Sequence, residues 1–303
     1  MSSTIAPPAS PFPARPAPAA EPTSSSSSSP PPSASAGPIG AKPMPVELPL
    51  TSFASTPHNV ACIAFVLGAC WATGLALSLP NLPGWFVWTS PAAASAAALP
   101  QQGWWTALTR SPQLGWYISS WAVFHLLEFV VTSMYNPGKL SVSSYLLDNG
   151  NAYHVAHIAG ILENILEERY FPEQYRLWKH SGVVFVLGLA VVGAGQILRS
   201  FAMISASSNF SHLLAYSKRP DHELVKTGIY SWSRHPSYAG FYWWAVGTQI
   251  VLGNPICTIV FVGVLQWFFS ERIKVEEKYL VKFFGKEYED YRSEVPTRIL
   301  LIP

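Results

Sequence analysis

Charged residues are scarce in this sequence: they make up 12% of its 303 residues, whereas 49% are hydrophobic. An average soluble domain carries about 25% charged residues. The mean hydropathy is correspondingly positive, at +0.21. This composition excludes an ordinary soluble globular protein and indicates that most of the chain is embedded in a membrane.

The formal net charge is also small, at +2, and no basic stripe with interleaved aromatic residues is present. Nucleic-acid binding needs such a positive footprint, so we expect no nucleic-acid partner. The three cysteines lie inside apolar runs, without CxxC spacing or a Cys/His cluster. The pattern favours thiols packed in the interior and predicts no metal site.

Residues 1–57 are dominated by Pro, Ser and Ala. Such a segment buries too little apolar surface to offset the entropy lost on ordering, so we predict a disordered tail. It also lacks the basic and apolar regions of a cleaved signal peptide. The rest of the chain, residues 58–303, is predicted to form one membrane-embedded domain.

Three apolar segments are long enough to cross a hydrocarbon core of about 30 Å: residues 59–80, 114–135 and 182–198. We expect Arg199, at the end of the third, to extend to the membrane interface. The Trp-rich, Pro-interrupted segment 81–112 is predicted to be an interfacial loop.

Residues 152–165 are a weaker candidate because they include His154, His157 and Glu163. We interpret them as a partly buried helix that lines the bundle; an amphipathic helix on the membrane surface is the alternative.

Residues 237–270 carry no charge but are interrupted by Gly253, Asn254 and Pro255, which predicts two short helices in a hairpin. The next segment, residues 271–292, alternates charged with apolar residues at spacings of three and four, which is typical of an amphipathic helix.

The sequence therefore predicts an all-α integral membrane protein with about six transmembrane helices, including the C-terminal hairpin. An even number of spans places both termini on one side of the membrane. Lys and Arg are concentrated in residues 218–234 and 272–298, so this side, with the amphipathic C-terminal helix, is predicted to be cytosolic.

Polar residues in the apolar segments are candidates for buried clusters, because charge is costly at membrane depth. His125 and Glu128 share one helix face, and we expect Glu163 as their neighbour. The polar stretch 209–238 holds three histidines, which favours a ligand site at the membrane surface. Arg272 and Glu276 share a face as well: they form either a simple ion pair or a site in which Arg272 binds a carboxylate.

Several motifs resemble the isoprenylcysteine carboxyl methyltransferase family. The cofactor-binding core of that family is similar to Val225-Lys226-Thr227-Gly228-Ile229-Tyr230 and to Arg234-His235-Pro236-Ser237-Tyr238-Ala239-Gly240. Further matches are His125 with Glu128, Asn136-Pro137, Asn209-Phe210-Ser211-His212, Gly253-Asn254-Pro255 and Phe268-Phe269-Ser270-Glu271-Arg272.

The resemblance implies S-adenosylmethionine as cofactor and a protein with a C-terminal farnesyl- or geranylgeranyl-cysteine, such as a small GTPase, as methyl acceptor. It places the reaction in the endoplasmic reticulum membrane and the site within residues 209–296. Arg272 matches the residue that holds the substrate carboxylate. The implied cofactor contacts are Ala215, His222, Glu223, Leu224, Val225, Tyr230, His235, Pro236, Ser237, Tyr238 and Glu276.

Three other functions stay open at this point. The Arg-His-Pro core is shared with NADPH-dependent membrane sterol reductases and with phospholipid N-methyltransferases, although the latter have less need of Arg272. A transporter is the non-enzymatic alternative, but the polar residues concentrate at one edge and no repeat of the two halves is visible.

Overall fold

The computed structural model describes residues 55–78, 111–171, 179 and 181–303, and the regular elements of these residues are helices. The predicted tail and the Trp-rich loop lie almost wholly outside the described residues. Within these ranges seven α-helices follow one another: α1 (Pro57–Ser78), α2 (Pro112–Tyr135), α3 (Asn151–Tyr170), α4 (Gly182–Ala206), α5 (Pro236–Leu252), α6 (Pro255–Phe284) and α7 (Lys286–Glu294).

Four of the described helices are long and apolar enough to cross a membrane. They are α1, α2, α4 with the turn that follows it, and α6, so the three strong sequence candidates are all confirmed as helices of spanning length. Helix α3 forms at the weaker candidate. Its side chains Val155, Ile158 and Leu162 are each more than half exposed along one face, whereas His157 and Asn164 on the other face are buried.

The packing separates an aromatic interior from an apolar outer surface. Phe124 of α2 and Trp244 of α5 are fully buried and stack with ring centroids 4.1 Å apart. Large apolar side chains such as Phe65, Val183 and Ile259 are about 70% or more exposed. Helices that face hydrocarbon need no polar outer face, because all backbone groups are satisfied within the helix.

Glycines allow α4 and α5 to pack at backbone contact. A Cβ at Gly188 would lie 2.7 Å from the backbone nitrogen of Val251, and one at Gly240 would lie 2.6 Å from that of Arg199. Small residues at helix crossings are typical of membrane bundles. This close approach sets the distance between the two helices that flank the polar stretch.

The predicted hairpin turn is confirmed between α5 and α6. Gly253 ends α5 with φ of 69°, a left-handed conformation that favours glycine, and Pro255 is the first residue of α6. The prediction that both helices are short is wrong for the second one, which runs 30 residues to Phe284. The amphipathic segment therefore continues this span rather than starting a new helix, because no breaker occurs before Gly285, which has φ of 57°.

Glu163 does not neighbour His125 and Glu128, contrary to our expectation. Its carboxylate accepts hydrogen bonds from the backbone nitrogens of Ile256 and Cys257 at 2.8 and 2.7 Å. These are unsatisfied donors of the first turn of α6, where a negative charge is stabilising. Glu163 thus fixes α3 against the start of α6.

Candidate active site

A cavity of about 700 Å³, including its open mouth, lies where the polar stretch meets the ends of α5 and α6. All of the sequence-predicted cofactor contacts except Ala215 line it: His222, Glu223, Leu224, Val225, Tyr230, His235, Pro236, Ser237, Tyr238 and Glu276. Ala215 is exposed and is not part of the wall. Residues that sequence reasoning did not assign also line the cavity: Ala206, Asn209, Phe210, Ser211, Arg234, Leu280, Phe284, Tyr288 and Tyr291.

The loop before α5 is fixed from two directions. Pro236, with its restricted φ, is the first residue of α5, and Gly228 turns the chain with φ of 61°. The hydroxyl of Tyr291 donates to the carbonyl of Tyr230 at 2.6 Å, and the Tyr230 hydroxyl donates to the Ala202 carbonyl at 3.4 Å. The C-terminal region and α4 therefore hold the cavity wall in place.

Arg272 adjoins this wall through Tyr238. Its Nε donates to the Tyr238 hydroxyl at 2.9 Å, and its Nη2 donates to the carbonyl of His212 at 2.6 Å. The Tyr238 hydroxyl in turn donates to Glu276 at 2.5 Å. The loop before α5 and Arg272 therefore lie side by side, and Tyr238 joins them.

His235 and Arg234 share one carboxylate, that of Glu277. Arg234 Nε and His235 Nε2 donate to Glu277 Oε1 at 2.6 and 3.2 Å, and the His235 ring stacks on Tyr238 at 5.5 Å. Arg234 also donates to the Val295 carbonyl at 2.8 Å. The Arg-His-Pro motif alone does not reveal these contacts of Arg234, because Glu277 and Val295 lie 43 and 61 residues farther along the chain.

A buried ion pair lies behind the cavity, and it corrects the expectation for Arg199. This side chain does not extend outward from the bundle: it is 5% exposed, and its Nε and Nη2 donate to both oxygens of Glu128 at 2.8 and 2.9 Å. Because α4 extends beyond residue 198 to Ala206, Arg199 lies inside the bundle. The nearby His125 bonds instead to the Tyr145 carbonyl and the Tyr153 hydroxyl, both at 2.8 Å.

His222 is half-buried at the cavity, beside Phe284 with ring centroids 5.3 Å apart. Burial lowers the pKa of His222, and the positive charges of Arg219, Lys139 and Lys218 lower it further. The ring is therefore neutral near neutral pH. Burial also raises the pKa of Tyr230, which keeps that hydroxyl protonated.

The wall suits a ligand with a positive charge and an aromatic group. It is lined by Glu223, Glu276, a neutral imidazole and several aromatic rings, and the positive charge of Arg234 in the wall is paired with Glu277. Aromatic faces and carboxylates both attract cations. In the part of the chain that the structure describes, no three His, Cys, Asp or Glu side chains are grouped to hold a metal ion.

Comparisons with known proteins agree with one another. The model of the isoprenylcysteine carboxyl methyltransferase (ICMT) family matches residues 186–282. Protein-S-isoprenylcysteine O-methyltransferase of Saccharomyces cerevisiae is 47% identical over 189 residues, which cover 61% of this chain and 79% of that protein. The Homo sapiens protein of the same name is 42% identical over 188 residues, which cover 62% and 65% of the two chains.

A solved structure is similar as well. It is described as the eukaryotic intramembrane Ras methyltransferase ICMT, and it matches with a TM-score of 0.68 at 33% identity over 80% of this chain and 77% of that chain. On this sequence and structural similarity, the chain belongs to the isoprenylcysteine carboxyl methyltransferase family.

Proposed function

We propose that this protein transfers a methyl group from S-adenosylmethionine to the α-carboxylate of a C-terminal prenylated cysteine on a protein and so forms a methyl ester. The proposal rests on one observation above all. The guanidinium of Arg272, suited to a carboxylate, contacts the Tyr238 hydroxyl at 2.9 Å, and Tyr238 lines the cavity that suits a cationic aromatic ligand. A group suited to the carboxylate of the methyl acceptor therefore lies beside a cavity suited to the methyl donor.

The cofactor would occupy the cavity. Bound there, S-adenosylmethionine would supply a methyl group from a positively charged sulfur to the carboxylate oxygen and leave as neutral S-adenosylhomocysteine, without a proton transfer. Glu223 and Glu276 would offset the positive charge of the sulfonium and amino groups. The neutral His222 would add no opposing charge, and the aromatic wall would hold the adenine.

The acceptor needs orientation rather than activation. An α-carboxyl has a pKa of about 3.5, so near neutral pH it is already an anion. Arg272 would hold one oxygen of this anion and leave the other directed at the methyl group. The gain in rate comes from alignment and from exclusion of water, which together lower the barrier by several kcal/mol or more.

The prenyl chain would reach Arg272 from the bilayer. Phe268 lies four residues before Arg272, on the same face of α6, and is 39% exposed; Trp267 beside it is 69% exposed. An apolar chain sliding along this face brings its cysteine carboxylate to the guanidinium. Access of the prenyl chain from the bilayer explains why a methyltransferase for a lipid-anchored substrate would be a membrane protein.

We place the site on the cytosolic side of the endoplasmic reticulum membrane. Lys and Arg are concentrated in residues 218–234 and 272–298, near the cavity, and such an excess favours the cytosolic side. Prenylated proteins and soluble cofactor are both available there.

Membranes that contain this protein provide the direct test. They are incubated with S-adenosylmethionine labelled in the methyl group and with N-acetyl-farnesylcysteine, and base-labile methyl ester is counted. The same compound with its carboxylate already esterified is the matched control and should take up no label. Binding of NADPH without binding of S-adenosylhomocysteine would favour a reductase and refute the proposal.

A further inference from the structure

We infer that His212 is a positioning residue for Arg272 and that the buried pair of Glu128 and Arg199 holds it in place. This inference rests on the proposed function of Arg272. Three contacts carry it. His212 Nε2 donates to Glu128 Oε2 at 2.8 Å, the His212 carbonyl accepts from Arg272 Nη2 at 2.6 Å, and Arg199 grips both oxygens of Glu128.

Before His212, the loop is held by Asn136 and Lys139, which both donate to the carbonyl of Phe210. At His212 itself, the ring provides the side-chain contact with the bundle. The following residues lie at the surface: Leu213 is 73% exposed and Tyr216 is 60% exposed. The His212 ring, in contrast, meets the edge of Phe210 at 5.1 Å and the carboxylate of Glu128, which is fully buried. Because the ring and the carbonyl belong to one residue, anchoring the ring also fixes the carbonyl that accepts from Arg272.

The same ion pair reaches the cavity on its other side. Arg199 Nη1 donates to Oγ of Ser237 at 2.6 Å and to the Ser237 carbonyl at 3.3 Å, and Ser237 lines the cavity. Arg199 is further held between the rings of Phe210 and Phe241, at 5.8 Å from each. The buried pair of Glu128 and Arg199 therefore contacts both His212, whose carbonyl binds Arg272, and Ser237 in the cavity wall.

Burying two charges is costly, and a pair of apolar residues of similar size often serves stability as well or better. An apolar pair, however, would offer neither an acceptor to His212 nor a donor to Ser237. The ion pair thus does what apolar packing cannot do: it fixes Arg272, which binds the carboxylate, relative to the cofactor cavity. Small displacements between two reacting groups strongly reduce the rate of an enzymatic reaction.

Two substitutions of His212 separate positioning from mere packing. His212→Gln keeps a nitrogen donor for Glu128, whereas His212→Phe keeps a ring against Phe210 and removes the donor. Ser217→Ala, at an exposed position farther along the loop, is the matched control. For each purified variant we measure kcat and KM for N-acetyl-farnesylcysteine, the affinity for S-adenosylhomocysteine, and the melting temperature.

The inference predicts that His212→Phe lowers kcat/KM for the prenylcysteine by about ten- to a hundredfold, because Arg272 is displaced from the productive position. Affinity for S-adenosylhomocysteine should stay close to that of Ser217→Ala, and the melting temperature should fall only modestly, because Arg199 still donates to both oxygens of Glu128. His212→Gln should recover at least part of the loss. In a background of Arg272→Lys, His212→Phe should cost much less than in the wild type, since both substitutions affect one interaction.

Three results would overturn the inference. One is an unchanged kcat/KM in His212→Phe; another is equal loss in the Gln and Phe variants; the third is a fall in melting temperature and cofactor affinity that accounts for the lost activity. Failure of the proposed function is distinguishable, because the wild-type protein itself would then form no ester.

Discussion

Arg272 Nε donates a hydrogen bond to the hydroxyl of Tyr238 at 2.9 Å, and this contact joins two regions that lie 34 residues apart in the sequence. Arg272 is on the long helix α6 and Tyr238 is in the first turn of α5. The hairpin turn at Gly253 folds α6 back along α5, so the two residues meet at the end remote from the turn. The account of function depends on this meeting point.

Tyr238→Phe should lower kcat/KM by about tenfold or more, because one hydrogen bond to a charged group contributes about 1.5–3 kcal/mol. The ring stays, so the stack with His235 and the fold should persist. Tyr242→Phe is the control on the same helix: its hydroxyl is buried, and among the described residues it has no hydrogen-bond partner. Equal activity of both variants in the ester assay would show that the Tyr238 hydroxyl is dispensable.

Arg234→Ala should destabilise the protein by about 2–4 kcal/mol, because it removes the shortest contact of the mostly buried Glu277 carboxylate and leaves it His235 at 3.2 Å and Arg292 at 3.6 Å. It also removes the bond to the Val295 carbonyl. Unfolding in detergent, followed by circular dichroism, measures the loss.

Lys226→Ala is the matched control for Arg234→Ala. Lys226 pairs with Glu287 at 2.6 Å, but both side chains are about half exposed, and such pairs contribute at most about 1 kcal/mol. A loss as large as that of Arg234→Ala would contradict the assignment of Arg234 as the stronger link.

Gly188→Ala should destabilise the bundle by about 3 kcal/mol or more, because the new Cβ would lie 2.7 Å from the backbone nitrogen of Val251 and force α4 away from α5. Gly193→Ala, in the same helix, meets no atom within 4 Å and should be neutral or slightly stabilising. Thermal unfolding of the two variants decides the matter: equal melting temperatures would refute close packing at Gly188.

Asn209 opens the sequence Asn209-Phe210-Ser211, which is an acceptor for N-glycosylation. We expect no glycan there, because the proposed orientation places this turn in the cytosol. Digestion with an endoglycosidase, followed by gel electrophoresis, is the measurement. A shift in mobility that is lost in Asn209→Gln would reverse the proposed orientation.

Much of the fold was predictable because hydrophobic length and turn chemistry act locally. The segments that became α1, α2 and α4 are apolar over a spanning length, and Gly253 with Pro255 marks the hairpin turn. The length of α6 was harder to predict. A change from apolar to charged residues near Glu271 indicates where a helix leaves the membrane, but it does not break the helix, which continues to the glycine at 285.

The polar contacts were less predictable, because they join residues that are distant in the sequence. Arg199 follows an apolar run and so resembled an interfacial residue; its partner Glu128 lies 71 positions away. An acidic residue in one span and a basic residue in another are a signal for a buried pair, but the helix register alone does not match them. The prediction for Glu163 was wrong for the same reason, because its partners are backbone nitrogens of the first turn of α6, more than 90 residues away in the sequence.

The most direct measurement is the comparison of Arg272→Ala with the wild type in two assays on the same purified protein, ester formation on N-acetyl-farnesylcysteine and binding of labelled S-adenosylhomocysteine. The account predicts that ester formation falls to background while cofactor binding is largely retained, because Arg272 serves the carboxylate and not the cavity. Full ester formation by Arg272→Ala would contradict it.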